Sequence, residues 1–339
     1  MSIQSDLTID ASRFRPDNVS ETTKQVNNFV RNITTKGPRW HEVGAATYRE
    51  MHLQGKLALP APTFLPGATD ATLPSRDSSR LIPIRIYKPD NGQPSEGVFL
   101  HAHGGGWVLG DEKISDKVLQ RYANGCQLTA ISVGYRHAPE NPYPAAVDDC
   151  IDAAQYLIDH PEKYGPVRFM GGESAGAYLV VLTTFHLLAS RPSHAIEGLA
   201  LQYGVYDPTL GLPSLTTITQ PVMIDRAAME RFRGAFLPGK TPEQCRDPSI
   251  SPIYADLAGL AAKSPTGLPP ALFVVGTDDP LVDDTILMGS KWSIAGAESI
   301  VKIYPGATHG FTAVPGFPVA EEANAVSVQF VKDRVTGSK

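Results

Sequence analysis

The first chemistry on offer in this chain is a serine framed by two glycines, in the run Gly172-Glu173-Ser174-Ala175-Gly176. A G-x-S-x-G run forms a nucleophile elbow when a strand leads into it and a helix leads out. Val167–Gly171 is an apolar, strand-like run and Ala175–Ala189 is helix-like, so the setting is right. At such a turn the hydroxyl is pushed out of a strained backbone. Side chains two positions to either side would collide, and the helix N-terminus adds partial positive charge beside a developing oxyanion. Ser174 is the expected nucleophile; the plain alternative is a glycine-rich turn without chemistry. Upstream, His103-Gly104-Gly105-Gly106-Trp107 follows a short apolar strand, Gly97–Ala102. Three glycines at a strand end let the backbone approach a ligand and aim its N–H groups inward. A phosphate loop would need a Lys-Ser or Lys-Thr pair after the last glycine, and Trp107-Val108 follows instead. A glycine loop one strand–helix–strand unit before an elbow is where oxyanion donors belong.

A serine nucleophile needs a base and a group to orient it, and in this arrangement the chain order is Ser, then Asp or Glu, then His. His309 lies in the loop Pro305–Phe311 after the strand-like Ser299–Tyr304, whereas His186 and His194 lie on or just after the helix leaving the elbow. His309 is therefore the expected base. Four aspartates crowd the loop after Ala271–Val275: Asp278, Asp279, Asp283 and Asp284. The last two read as N-cap and first-turn residues of the next helix, where carboxylates are favourable. The acid is then Asp279 or Asp278, with Asp279 preferred.

The elements that must hold these residues alternate. Strand-like runs at Ile82–Tyr87, Gly97–Ala102, Thr129–Tyr135, Val167–Gly171, Leu199–Tyr203, Ala271–Val275 and Ser299–Tyr304 are interspersed with helical periodicity at Pro144–His160, Ala175–Ala189, Leu287–Ala295 and Ala320–Val335. That grammar predicts an α/β fold with a mostly parallel sheet and helices on both faces. Residues 60–80 read as a loop. Residues 205–265, broken by prolines including Pro208, Pro221 and Pro252 around one helical piece, Ala227–Phe236, read as an insertion. Glu21–Asn32 and Ala45–Leu59 read as helical. With 339 residues, 42% hydrophobic and 19% charged, the chain can bury a large core unaided, and a net charge of −5 argues against nucleic acid as a partner. Cys126, Cys150 and Cys245 form no metal-binding spacing and read as inert thiols. Met1–Phe14 is polar and lacks the apolar core of a secretory signal, and no run is long enough to span a membrane, so a cytoplasmic location is expected.

Taken together, the pieces resemble the hormone-sensitive-lipase-type branch of the α/β-hydrolase esterases, which includes arylacetamide deacetylases and plant carboxylesterases. They are His103–Trp107 (HGGGW), Tyr135–Glu140 (YRHAPE), Pro144–Asp149 (PAAVDD), Gly172–Gly176 (GESAG), Asp279–Asp283 (DPLVD) and His309–Phe311 (HGF), over roughly residues 80–335. The resemblance implies an α/β-hydrolase fold with a helical cap, and a carboxylesterase acting on short- to medium-chain esters. It puts the triad on Ser174, Asp279 and His309, and the oxyanion donors on the N–H groups of Gly105, Gly106 and Ala175. No metal or organic cofactor is implied. Tyr135–Glu140 would carry an Arg136–Glu140 polar network behind the glycine loop. Residues 1–60 and 205–265 would form the cap, and 61–204 with 266–339 the core. The implied partner is a small-molecule ester, and a homodimer is compatible with the resemblance. Two rivals stand beside it. HGGGW also fits the H-G-G-x-W signature of kynurenine formamidases, and a pathway-specific deacylase of a secondary metabolite would look the same. A non-catalytic receptor like that for gibberellin has lost the triad histidine, whereas this chain keeps His309.

Overall fold

Short apolar runs alternating with helices assemble into one eight-stranded sheet of order β1-β2-β4-β3-β5-β6-β7-β8. The computed structural model describes residues 8–218, 222–314 and 316–337. Pro221 and the first seven residues of the polar N-terminus lie outside the described residues. The strands are β1 (Ala68–Pro74), β2 (Leu81–Tyr87), β3 (Val98–Ala102), β4 (Thr129–Val133), β5 (Val167–Glu173), β6 (Gly198–Gln202), β7 (Ala271–Gly276) and β8 (Ser299–Tyr304). β2 runs antiparallel to β1 and β4, and every other pairing is parallel. The α/β class and the mostly parallel sheet are as the sequence predicts.

Helices α1 (Glu21–Thr34), α2 (Trp40–Val43) and α3 (Ala45–Leu53) precede the sheet. α4 (Asp116–Cys126), α5 (Ala145–Asp159), α6 (Pro161–Tyr164) and α7 (Ala175–Ser190) alternate with its central strands. α8 (Ser214–Thr217), α9 (Arg226–Phe236) and α10 (Leu257–Ala261) occupy the insertion, and α11 (Val282–Ile294) and α12 (Pro318–Val335) close the chain. Successive strand residues point to opposite faces, and here both faces are buried. Leu100, Met170, Leu201 and Phe273 join a core with α5, α7 and α11. Phe99, Phe169, Ala200 and Leu272 join a second core with α1, α4 and α12.

Several elements depart from the sequence reading: α3 stops at Leu53 rather than Leu59, and α4 has no counterpart in it. Residues 60–80 contain β1, an edge strand whose burial alternates weakly because most of its side chains face solvent. α11 starts at Val282 with Leu281 as N-cap residue, so Asp283 is not the cap; both aspartates lie inside the first turn. No described helix is long and apolar enough to cross a membrane. All three cysteines are free and buried.

Candidate active site

The loops that follow parallel strands leave the sheet at its C-terminal edge, so β3, β5, β7 and β8 deliver their loops to one place. β5 ends at Glu173 and α7 begins at Ala175, leaving Ser174 as the single residue of the turn with φ 54° and ψ −119°. A positive φ is costly for a residue with a Cβ and persists only where the surroundings impose it. They do: the Ser174 N–H donates to the Gln202 carbonyl of β6 at 2.9 Å. A Cβ at Gly176 would stand 1.9 Å from the Ala102 carbonyl oxygen of β3, so only glycine lets the helix start this close to the sheet.

The β7 and β8 loops are stitched together by the Asp278 N–H, which donates to the Ala307 carbonyl at 3.1 Å. His309, buried, places Nε2 2.9 Å from Ser174 Oγ. Its Nδ1 lies 2.9 Å from Asp279 Oδ2 and 3.1 Å from Oδ1. Asp279 is fully buried, and its Oδ1 also accepts the Leu281 N–H at 2.9 Å. A carboxylate can only accept, so Nδ1 carries the proton and Nε2 offers its lone pair to the serine hydroxyl. That is the arrangement that can take a proton from Ser174. Asp278 is exposed, and among the described residues its carboxylate reaches only the Thr277 hydroxyl, at 3.4 Å.

The glycine loop lies against the elbow. Gly105 and Gly106 have φ of 121° and 62°, and neither N–H finds an acceptor among the described residues. The Ala175 N–H is the first of α7 and has no partner within the helix. His103 is buried and sits under this loop rather than in the chemistry. Its Nδ1 meets the Gly104 carbonyl at 2.8 Å, and its ring stacks on Tyr135 with centroids 4.2 Å apart. Burial pushes its pKa down to about 4, so it is neutral at ordinary pH. Trp107 is buried against Phe236, with ring centroids 4.4 Å apart.

Behind the loop, the Arg136–Glu140 network does not form. The fully buried Asp149 of α5 claims Arg136, accepting its N–H at 2.9 Å and its guanidinium at 2.9 Å, and binds Arg80 as well. Glu140 pairs instead with Arg49 of α3 at 2.6 Å. An unpaired buried carboxylate costs more than an exposed one, which explains why Asp149 takes both cations.

Six side chains near the site make contacts the sequence reading did not give them. Glu173 receives His101 Nε2 at 2.9 Å, and His101 Nδ1 meets Ser132 Oγ at 3.0 Å, a buried bridge across β5, β3 and β4. Phe232 of α9 lies where Gly106 would carry a side chain, 2.4 Å from that Cβ position, and stacks on Trp40 of α2 with centroids 5.3 Å apart. Asp284 accepts the Tyr206 and Asp207 N–H groups at 2.6 and 2.7 Å, rooting the insertion on the first turn of α11, just after the loop that bears Asp279.

Burial pushes the Asp284 carboxyl up to about 8, against those two donors. A carboxyl raised on folding adds stability below its unfolded value of about 3.9, and that stability is lost as the pH climbs through the folded value. Asp284→Asn keeps an acceptor oxygen but does not titrate. Its urea midpoint should therefore gain on wild type as the pH is raised from about 5 to about 9. A constant difference across that range would contradict a raised Asp284.

The chain matches a family model described as alpha/beta hydrolase fold over residues 99–313. It is 28% identical to an ethyl acetate hydrolase of Pseudomonas putida, over 78% of this chain and 81% of that one. It is 30% identical to carboxylesterase NlhH of Mycobacterium tuberculosis, over 68% of this chain and 71% of that one. Among solved structures, a hyperthermophilic esterase from the archaeon Pyrobaculum calidifontis superposes with a TM-score of 0.76 at 27% identity, covering 93% of this chain and 98% of that one.

Proposed function

The chain belongs to the α/β-hydrolase-fold family, in its hormone-sensitive-lipase-type esterase branch, and is a carboxylic ester hydrolase; from that premise we propose that it cleaves short- to medium-chain esters through an acyl-enzyme on Ser174. The observation that carries the reading is the unbroken run of hydrogen bonds from Ser174 Oγ through His309 to the buried Asp279. His309 Nε2 takes the hydroxyl proton as Ser174 Oγ attacks the acyl carbonyl. Asp279 holds the imidazole in the tautomer that allows this and stabilises the imidazolium that forms. The oxyanion is received by the N–H groups of Gly105, Gly106 and Ala175, which have no acceptor among the described residues to give up. His309 then protonates the departing alcohol, and water, deprotonated by the same imidazole, releases the acid.

The length preference rests on what stands over the glycine loop. Residues 1–60 and 205–265 serve as a two-part cap. Trp40 and Phe232 stack across it, and Thr34 Oγ1 donates to the Val222 carbonyl at 3.1 Å. An aromatic pair above the oxyanion loop limits the room left for an acyl chain. The test is kcat/KM on p-nitrophenyl esters from acetate to palmitate, with N-formylkynurenine in parallel. Butyrate should exceed palmitate by about 10-fold or more, each buried methylene that finds no room forfeiting roughly 0.8 kcal/mol. Phe232→Ala should shrink the ratio. A wild-type preference for palmitate would refute the enclosed pocket, and turnover of N-formylkynurenine above all esters would favour the formamidase.

A further inference from the structure

We infer that Tyr203 is a positioning residue for the imidazole of His309, acting through its ring and, by way of Thr312, through its hydroxyl. The inference rests on the proposed role of His309 as base. Gln202 and Tyr203 stand at the C-terminal end of β6, between the strand that delivers the nucleophile and the strand that delivers the acid. The Gln202 carbonyl accepts the Ser174 N–H at 2.9 Å, and the Tyr203 N–H donates to Val274 of β7 at 2.6 Å. At Tyr203 the backbone turns to φ 38°, in the region residues with a Cβ avoid. The turn aims the ring out of the strand line and edge-on to His309, with centroids 4.8 Å apart and planes at 61°.

The hydroxyl is engaged as firmly as the ring. Tyr203 OH and Thr312 Oγ1 are 2.6 Å apart, and Thr312 Oγ1 lies 2.5 Å from Gln202 Oε1. Gln202 Nε2 donates to Ser327 Oγ at 3.3 Å, and Ser327 Oγ donates to the Ala323 carbonyl at 3.0 Å. This fixes every direction in the chain. The amide oxygen of Gln202 can only accept, so the Thr312 hydroxyl donates to it and Tyr203 must donate to Thr312. Burial pushes the Tyr203 phenol up, so it keeps its proton throughout an assay range. Thr312 lies three residues past His309, and its carbonyl accepts Asn324 Nδ2 of α12 at 2.9 Å. One dipeptide thus holds the serine N–H, the loop that carries the base, and one side of the ring.

The reason for such a hold follows from the reaction. Two hydrogen bonds restrain His309 in its plane, one to Asp279 and one to Ser174. The second is lost when Oγ attacks, at the moment the imidazolium must face the leaving group. Asp279 alone permits tilt about the Nδ1 bond, and the Tyr203 ring opposes it. Small misplacements of a catalytic group are expensive in rate. A residue that only filled space would need no hydroxyl and no positive φ.

The experiment compares Tyr203→Phe, Thr312→Val, the double variant and Thr312→Ser with wild type on p-nitrophenyl butyrate. Thermal unfolding and the low-field NMR signal of the His309 Nδ1 proton are followed alongside. Tyr203→Phe should lower kcat about 10-fold while KM stays within about 2-fold, because the loss falls after binding. The Nδ1 proton signal should broaden. Thr312→Val should match it, and the double variant should be no worse than either, since both break one chain. Thr312→Ser, which restores the hydroxyl, should return most of kcat. Wild-type kcat with a sharp Nδ1 signal in both Tyr203→Phe and Thr312→Val would overturn the inference, as would a lowered melting temperature with unchanged kcat. Failure of the nucleophile assignment reads differently: activity would survive Ser174→Ala.

Discussion

Ser174→Ala is expected to lower kcat on any ester substrate by on the order of 10³-fold or more, with the fold intact, because the members of such a triad act as a unit. The substitution deletes one oxygen, whose one hydrogen bond to another side chain among the described residues goes to His309 Nε2 at 2.9 Å. The strained φ of 54° is shared by wild type and variant, so neither the turn nor the sheet is disturbed. A fluorophosphonate should label wild type at Ser174 alone. The molecule carries an internal control. Ser132, His101 and Glu173 form a second serine–histidine–carboxylate array, but Ser132 is fully buried and no reagent reaches it. Labelling that persisted in Ser174→Ala would sink the assignment.

Asp279→Asn should cost on the order of 10⁴ in kcat, the scale known for the equivalent change in a serine protease, while Asp278→Asn should stay close to wild type. The two carboxylates are neighbours in sequence and opposites in surroundings. Asp279 is fully buried and bonded to His309 Nδ1, whereas Asp278 is exposed. An asparagine at 279 keeps the shape but can present its amide N–H to Nδ1, which favours the tautomer that places the proton on Nε2. The serine then faces a donor where it needs an acceptor. Should Asp278→Asn prove the crippling change, the register of the β7 loop would have to be redrawn.

Much of the frame could be read from local pattern. Apolar runs of five or six residues, each ending in glycine or a turn, mark the central strands because both of their faces are buried. β1 was invisible for the opposite reason: Ala68–Pro74 shows solvent most of its side chains and offers no apolar run. The candidate site was legible where one short segment carries its own meaning, as in Gly172–Gly176, His103–Trp107 and the loop at His309. Contacts between distant segments were not. Asp284 looks like any first-turn carboxylate until residues 206 and 207, nearly eighty positions earlier in the chain, bring their N–H groups to it. Arg136 has Glu140 four positions away but bonds Asp149, because burial on α5 decides which carboxylate most needs a cation. Tyr203 reads as the end of a strand, and only the β6 register reveals what it faces.

The stacked pair of Trp40 and Phe232 has a consequence for how such a molecule changes over generations. Ser174, Asp279 and His309 hang from loops of one sheet, while the two rings belong to separate stretches on either side of its central strands. The family match begins at residue 99, so Trp40 stands outside it and Phe232 within. A mutation in either ring alters what lies above the oxyanion loop and leaves the hydrogen bonds from Ser174 to Asp279 untouched. If the proposed cap sets the ester preference, the groups that react and the groups that select lie in different parts of the chain, the second set divided again in two. On that reading, single substitutions at Trp40 or Phe232 should move the ester preferred while Ser174, His309 and Asp279 keep their hydrogen bonds, whereas exchange of the whole insertion would also disturb Asp284, which is bonded to residues 206 and 207.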